Sequence, residues 1–157
     1  MSVTEIRQLV NWFRVHNEAQ VRRDEATEKL TLEQVMALLY YVQGMHLAVF
    51  DTVAFADDIL ACERGVAIQT VATQFYGAAG LIDDLDEAVI ADHDAIEADP
   101  QLAAIVHTVQ AFADGRSIIR LITRMSTERP WMETPQNQVI LPGLMADYFR
   151  KLMQVIE

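Results

Sequence analysis

The chain opens at helical period. Val3, Ile6, Leu9, Val10 and Phe13 recur at the spacing of one face of an amphipathic helix. Residues 17–29 lose that period and turn polar and charged without a turn-rich linker, so they either extend the first helix or form a loop. Thr31 then stands three residues ahead of Gln34, a capping-box pattern, and an apolar run follows with Leu32, Val35, Met36, Leu38, Leu39, Val42, Met45 and Val49. Those positions wrap more than one face, which predicts the central, most buried helix. Gly44 inside it costs about 1 kcal/mol against Ala, and such a residue suits a place where a neighbouring backbone comes close.

Residues 51–65 are mixed, with Val53, Phe55 and Ile59 suiting a brief hairpin or an extended segment. Helical period returns over Val66 to Tyr76 and stops at Gly77 and Gly80. Asp99-Pro100 is a strong helix start, because Asp caps and Pro fits the first helical position. That helix carries Leu102, Ile105, Val106, Val109 and Phe112 and stops at Asp114-Gly115. Ser117 caps the next, Pro130-Trp131 to Asn137 reads as a loop, and a last helix begins near Pro142. The pattern predicts a mainly α fold, one domain over residues 1–157, built as a compact bundle of about six helices with a short hairpin near residues 51–65.

Charge adds a feature that hydropathy does not show. The chain has 157 residues, 52% of them hydrophobic, with 12 Lys and Arg against 23 Asp and Glu, a net charge of −11. The apolar fraction excludes a disordered acidic tail, and the charge excludes a protein that grips nucleic acid through clustered Lys and Arg. Residues 65–115 contain no Lys or Arg and nine acids: Asp83, Asp84, Asp86, Glu87, Asp92, Asp94, Glu97, Asp99 and Asp114. The remainder holds 14 acids and 12 bases. The acidic stretch around 81–99, a loop or a helix, reads either as a solvated, mobile segment or as an interaction segment.

The single cysteine, Cys62, has no partner for an internal disulfide. Residues MSVTEIRQLVNWF lack the basic region and unbroken apolar run of a signal peptide. No apolar stretch approaches the roughly 20 residues that span a bilayer. The expectation is a cytoplasmic protein without membrane or nucleic-acid partners.

Candidate chemistry is sparse. His16, His46, His93 and His107 are too far apart in sequence for a paired helical metal site, and Asp92-His93-Asp94 is the only tight cluster of potential ligands. Cys62 lies between opposing influences and carries no family signature. Gly77-Ala78-Ala79-Gly80 adjoins the acidic stretch, a poor place for a phosphate. No catalytic residue, cofactor site or metal site follows, and nothing requires an enzyme. Aromatics are more suggestive. Adjacent helical positions lie about 100° apart, so Tyr40-Tyr41 puts one ring inward and one outward. Tyr41, His46, Phe55 and Trp131 are the candidate partner-binding residues, with Asp83, Asp84, Asp86 and Glu87 from the acidic stretch.

These residues also carry a resemblance. Leu38-Leu39-Tyr40-Tyr41-Val42-Gln43-Gly44-Met45-His46-Leu47-Ala48 resembles the "KLLYYaqgwhLa" signature of the Panacea domain family, also described as phage-associated GepA-like or SocA-like proteins. Phe55-Ala56-Asp57-Asp58-Ile59-Leu60-Ala61 is similar to the family's "lF.e.ieA" segment, and Gly65-Val66-Ala67 stands where it has "GPV". Pro130-Trp131 matches "PW", and Ile140 followed by Met145, Tyr148 and Phe149 is similar to the C-terminal "I....i..yF". The departures are Ala37 for the Lys before "LLYY", Val66 directly after Gly65, and Met125-Ser126 for a Thr-His pair ahead of "PW". The resemblance implies a mainly helical fold and an antitoxin, carried on prophages or mobile elements, that neutralises a cognate toxin protein by direct binding. Its SocA branch implies an alternative role as adaptor to the ClpXP protease. An uncharacterised small enzyme with a cleft near Tyr40, His46 and Trp131 is the other alternative.

Overall fold

A computed structural model describes residues 4–75, 81–82 and 85–156, with backbone alone at Ile118, Val155 and Ile156. Among these residues the chain forms α1 (Ile6–Arg23), α2 (Leu32–Phe50), β1 (Leu60–Cys62), β2 (Gly65–Ala67), α3 (Gln69–Phe75), α4 (Glu87–Ala98), α5 (Pro100–Ala113), α6 (Ile118–Met125), α7 (Arg129–Met132) and α8 (Pro142–Ile156). The mainly α bundle expected from the sequence is what the chain folds into, with α4 and α7 beyond the six helices expected. No described helix is long and apolar enough to cross a membrane.

Helix α2 is the axis. Thr31 caps it, accepting a hydrogen bond from the Gln34 amide at 3.2 Å. It is buried along most of its circumference, against α8, α5, β2, α6, α1 and α3, because its apolar positions leave no polar face to turn to water. Gly44 marks the crossing with α8: a Cβ there would overlap the Phe149 ring. The close neighbour is thus an aromatic side chain, not the backbone expected. Asp51 ends α2 in the left-handed region, φ 58°.

Gln43 then organises the irregular residues that follow. Its Oε1 accepts from the Ala54 amide at 2.7 Å and its Nε2 donates to the Phe55 carbonyl at 2.8 Å. A side chain supplies here the ladder that a strand would have supplied. The hairpin lies later than residues 51–65 suggested: β1 and β2 pair antiparallel, with Cys62 opposite Gly65 and Glu63-Arg64 in the turn. Gly65 meets the turn's demand with φ 111°. Val66 therefore sits in β2, and the following helix starts only at Gln69. The outer edge of β1 is covered by residues 137–140, through Ala61 N–H to Gln138 at 3.0 Å and Ile140 N–H to Ile59 at 2.8 Å.

Residues 17–23 extend α1, and Asn17 ties down the loop after it, accepting from the Leu30 amide at 2.9 Å and donating to the Glu28 carbonyl at 3.0 Å. The solvated-loop reading of the acidic stretch fails over α4, which is a helix packed along α1. Asp83, Asp84 and the GxxG at 77–80 lie outside the described residues. Asp99 and Ser117 cap α5 and α6 as their positions predict. Pro130-Trp131 is a single helical turn, α7, not a loop, since Pro occupies a first-turn position where its missing N–H costs nothing.

Candidate functional site

Glu128 is the most unusual residue of the fold: a carboxylate only 2% exposed. Its Oε1 accepts from the Tyr40 hydroxyl at 3.1 Å and its Oε2 from the Tyr41 hydroxyl at 3.3 Å, while Tyr148 adds a third phenol and Arg124 Nε stands 3.6 Å away. Burial pushes the Glu128 carboxyl up, against the hydrogen bonds of the tyrosines and the charge of Arg124. Burial and the Glu128 charge push all three phenols up, Tyr148 to about 12. The phenols hold their protons and Glu128 takes them as hydrogen bonds, joining α2, α8 and the α6–α7 corner through one acceptor.

This arrangement corrects the expectation for Tyr40-Tyr41. Neither ring faces outward: both are buried, packed edge-on to Phe149 with centroids 5.6 and 5.9 Å away. Helix α2 has no solvent face at this level, so 100° of rotation moves a ring from one neighbour to another. Tyr41 is therefore a core residue, not a surface anchor. Phe55 is likewise fully buried, because Gln43 pins its backbone inward. Glu128 was missed by sequence reasoning. Its signal was indirect: two adjacent tyrosines on a buried helix need a buried acceptor.

His46 is buried too, and its Nδ1 donates to the Thr52 carbonyl at 2.6 Å, with Phe50 beside the ring. It joins the end of α2 to residues beyond the left-handed turn at Asp51. Trp131 is half-buried, and its indole N–H is shared between the Gly65 carbonyl at 2.7 Å and the Cys62 carbonyl at 3.1 Å, latching α7 onto the hairpin. Burial also pushes the adjacent Cys62 thiol up, away from nucleophilic character. Tyr40, His46 and Trp131 thus spend their polar atoms on three separate partners.

In the acidic stretch, most of the described charges have internal work. Asp86 caps α4 through the Val89 amide at 3.0 Å. Asp92 accepts from Arg7 Nε at 3.1 Å and Asn11 Nδ2 at 2.7 Å. Glu97 accepts from the Trp12 indole and from His107 Nε2, each at 2.7 Å. Glu87 stays exposed in the first turn of α4. Around fully buried Trp12 three histidines from three helices converge: His16 stacked at 5.1 Å, His93 stacked at 6.1 Å and His107 edge-on at 5.1 Å. Sequence spacing hid this cluster because its members lie on α1, α4 and α5. No group of three or more His, Cys, Asp or Glu among the described residues is arranged to hold a metal ion.

No family model, no curated protein and no solved structure matches the chain.

Proposed function

We propose that this chain is an antitoxin-like binding protein of the Panacea type, which neutralises a toxin protein by direct contact. One observation carries the reading. The segments on which the resemblance rests, far apart in sequence, fold onto one another as a single core. Tyr40 and Tyr41 lie on Phe149, Gly44 lies beneath that ring, Gln43 holds Ala54 and Phe55, Ile140 pairs with Ile59, and Trp131 latches the hairpin. Sequence features that belong to one structural unit are what a shared domain requires. Tyr40, Tyr41, Gln43, His46 and Trp131 all spend their polar atoms on holding that unit together, which favours binding over catalysis.

The partner surface then lies outside the motifs. Glu87, and Asp94 beside His93, are exposed acids on α4 that can steer a basic partner. Co-expression with the product of the adjacent gene should restore growth, and the two chains should co-elute on size exclusion. Affinity should fall with added salt, with the slope reduced by a Glu87→Gln, Asp94→Asn double substitution. Failure of rescue together with absence of a complex would overturn the reading.

A further inference from the structure

Charge changes sign abruptly after α5. Residues 65–115 hold nine acids and no Lys or Arg, whereas residues 116–129 hold Arg116, Arg120, Arg124 and Arg129 against one acid, the buried Glu128. Arg120 and Arg124 lie one turn apart on α6, and Arg116 stands just ahead of its Ser117 cap. Beside them Ile119 is 73% exposed, the most exposed large apolar side chain among the described residues. Two of these charges have answers within the chain. Arg124 Nε stands 3.6 Å from Glu128, and Asp114 lines the same hollow as Arg116. Both guanidiniums also lie over the Phe112 ring, at 5.1 and 4.4 Å, which holds them in place. The surplus is the exposed Arg120, whose side chain has no partner among the described residues. Helix α4 carries the opposite arrangement. Ile90 is 42% exposed, with Glu87 one turn before it and Asp94 one turn after. The bases that face α4 are Arg7, which pairs with Asp92 and Glu5, and His93, which meets Asp94 at 3.1 Å. Glu87 is exposed and left without a cation among the described residues.

We propose that α6 of one copy of this chain docks on α4 of a second copy, with Ile119 against Ile90 and Arg120 between Glu87 and Asp94. The pairing follows from sign. Two α4 faces would set acid against acid, and two α6 faces would set Arg120 against itself. Only α4 with α6 brings apolar to apolar and opposite charges together. A polyphosphate surface would suit Arg120 but would meet a chain of net charge −11. Every copy carries both halves of the contact, so it either forms twice about a two-fold axis or runs on head to tail. One helix pair is smaller than the about 1,200 Å² of standard interfaces, so the association is weak and depends on few side chains. The proposal goes beyond the antitoxin reading, and its test needs no partner protein.

Sedimentation equilibrium of the full chain, from about 10 to about 500 μM at low salt, tests it. The average mass should rise with concentration and fall back as salt is added. Arg120→Glu should weaken self-association at least about tenfold, and so should a Glu87→Lys, Asp94→Lys double substitution and Ile119→Asp. All these positions are exposed, so circular dichroism should show the folds unchanged. Arg64→Glu, in the hairpin turn, makes the same change of net charge as Arg120→Glu and should leave association intact. The decisive sample is a mixture. Arg120→Glu and the Glu87→Lys, Asp94→Lys chain should each stay monomeric alone and associate with one another, because each reversed face then meets its complement. A monomer at every concentration, an association that Arg120→Glu leaves unchanged, or two folded variants that stay apart when mixed overturns the proposal.

Discussion

Glu97 and Glu128 each accept hydrogen bonds from a buried aromatic side chain, and yet their proton affinities move in opposite directions. Glu97 sits on the open side of α4, and the hydrogen bond from Trp12 outweighs its partial desolvation, so its carboxyl lies below the usual range. Glu128 receives more donors than Glu97, but burial dominates and its carboxyl lies above that range. The donor set alone does not decide; access to water does. The α1–α4–α5 region is joined by a solvated acceptor and the α2–α6–α8 region by a dry one. The two joints should therefore fail by different amounts and in opposite directions of pH change.

The largest expected effect separates them directly. Glu128→Ala leaves the buried Tyr40 and Tyr41 hydroxyls without their acceptor, and should cost about 2–4 kcal/mol. Glu97→Ala leaves one buried indole N–H seeking water, and should cost about 1 kcal/mol. Urea denaturation followed by circular dichroism measures both, and equal losses would erase the distinction.

Next in size is the packing that shelters Glu128. Gly44→Ala forces a methyl into the Phe149 ring and should cost about 1–3 kcal/mol. A smaller side chain at the same place, Phe149→Leu, should reduce that penalty in the double variant. Strictly additive losses would show that the two residues do not meet.

Smallest is the response to pH. Burial is the main cause that holds His16 below its usual range. Asp114 offsets this, while His107, Arg23 and His93 add to the lowering. The unfolded chain thus takes up this proton first, and stability is lost as pH falls below about 6.5. Glu97 acts in the same sense lower down: its contribution is present above its unfolded value and is lost as pH falls through the depressed folded one. Glu128 has the opposite sign, with its contribution complete below the unfolded value and lost as pH rises through the folded one. Amide-exchange protection, taken relative to the intrinsic rate at each pH, should therefore fall along α4 between pH 7 and 5 while the centre of α2 stays protected. Substituting His16 by Gln should flatten the α4 response. In a Trp131→Phe background, quenching of Trp12 fluorescence should follow the same curve.

Local signals were legible in the sequence. Thr31, Asp99 and Ser117 each announce a helix start because a cap acts on its own neighbours, and α2 announces its burial by having no polar side. What escaped was set by distant partners. The acidic residues of α4 looked like solvated charge because Arg7, Asn11 and Trp12, which receive them, lie more than eighty positions away. Tyr41 looked half exposed because helical rotation predicts direction and not what waits in that direction. Of the candidate partner residues, His46 and Phe55 face inward, as core packing at those positions would have it, half-buried Trp131 turns its indole onto the hairpin, and Glu128, which joins the tyrosines, carries no local pattern at all.

The crossing of α2 and α8 also has a temporal consequence. Helix α2 belongs to the first third of the chain, and Phe149, which covers Gly44, Tyr40 and Tyr41, belongs to the last tenth. During synthesis the most apolar helix of the protein is therefore made early and covered late. Until α8 leaves the ribosome, that face is open to chaperones, to proteases and to other nascent chains. Helix α8 is the step that covers the face α2 leaves open.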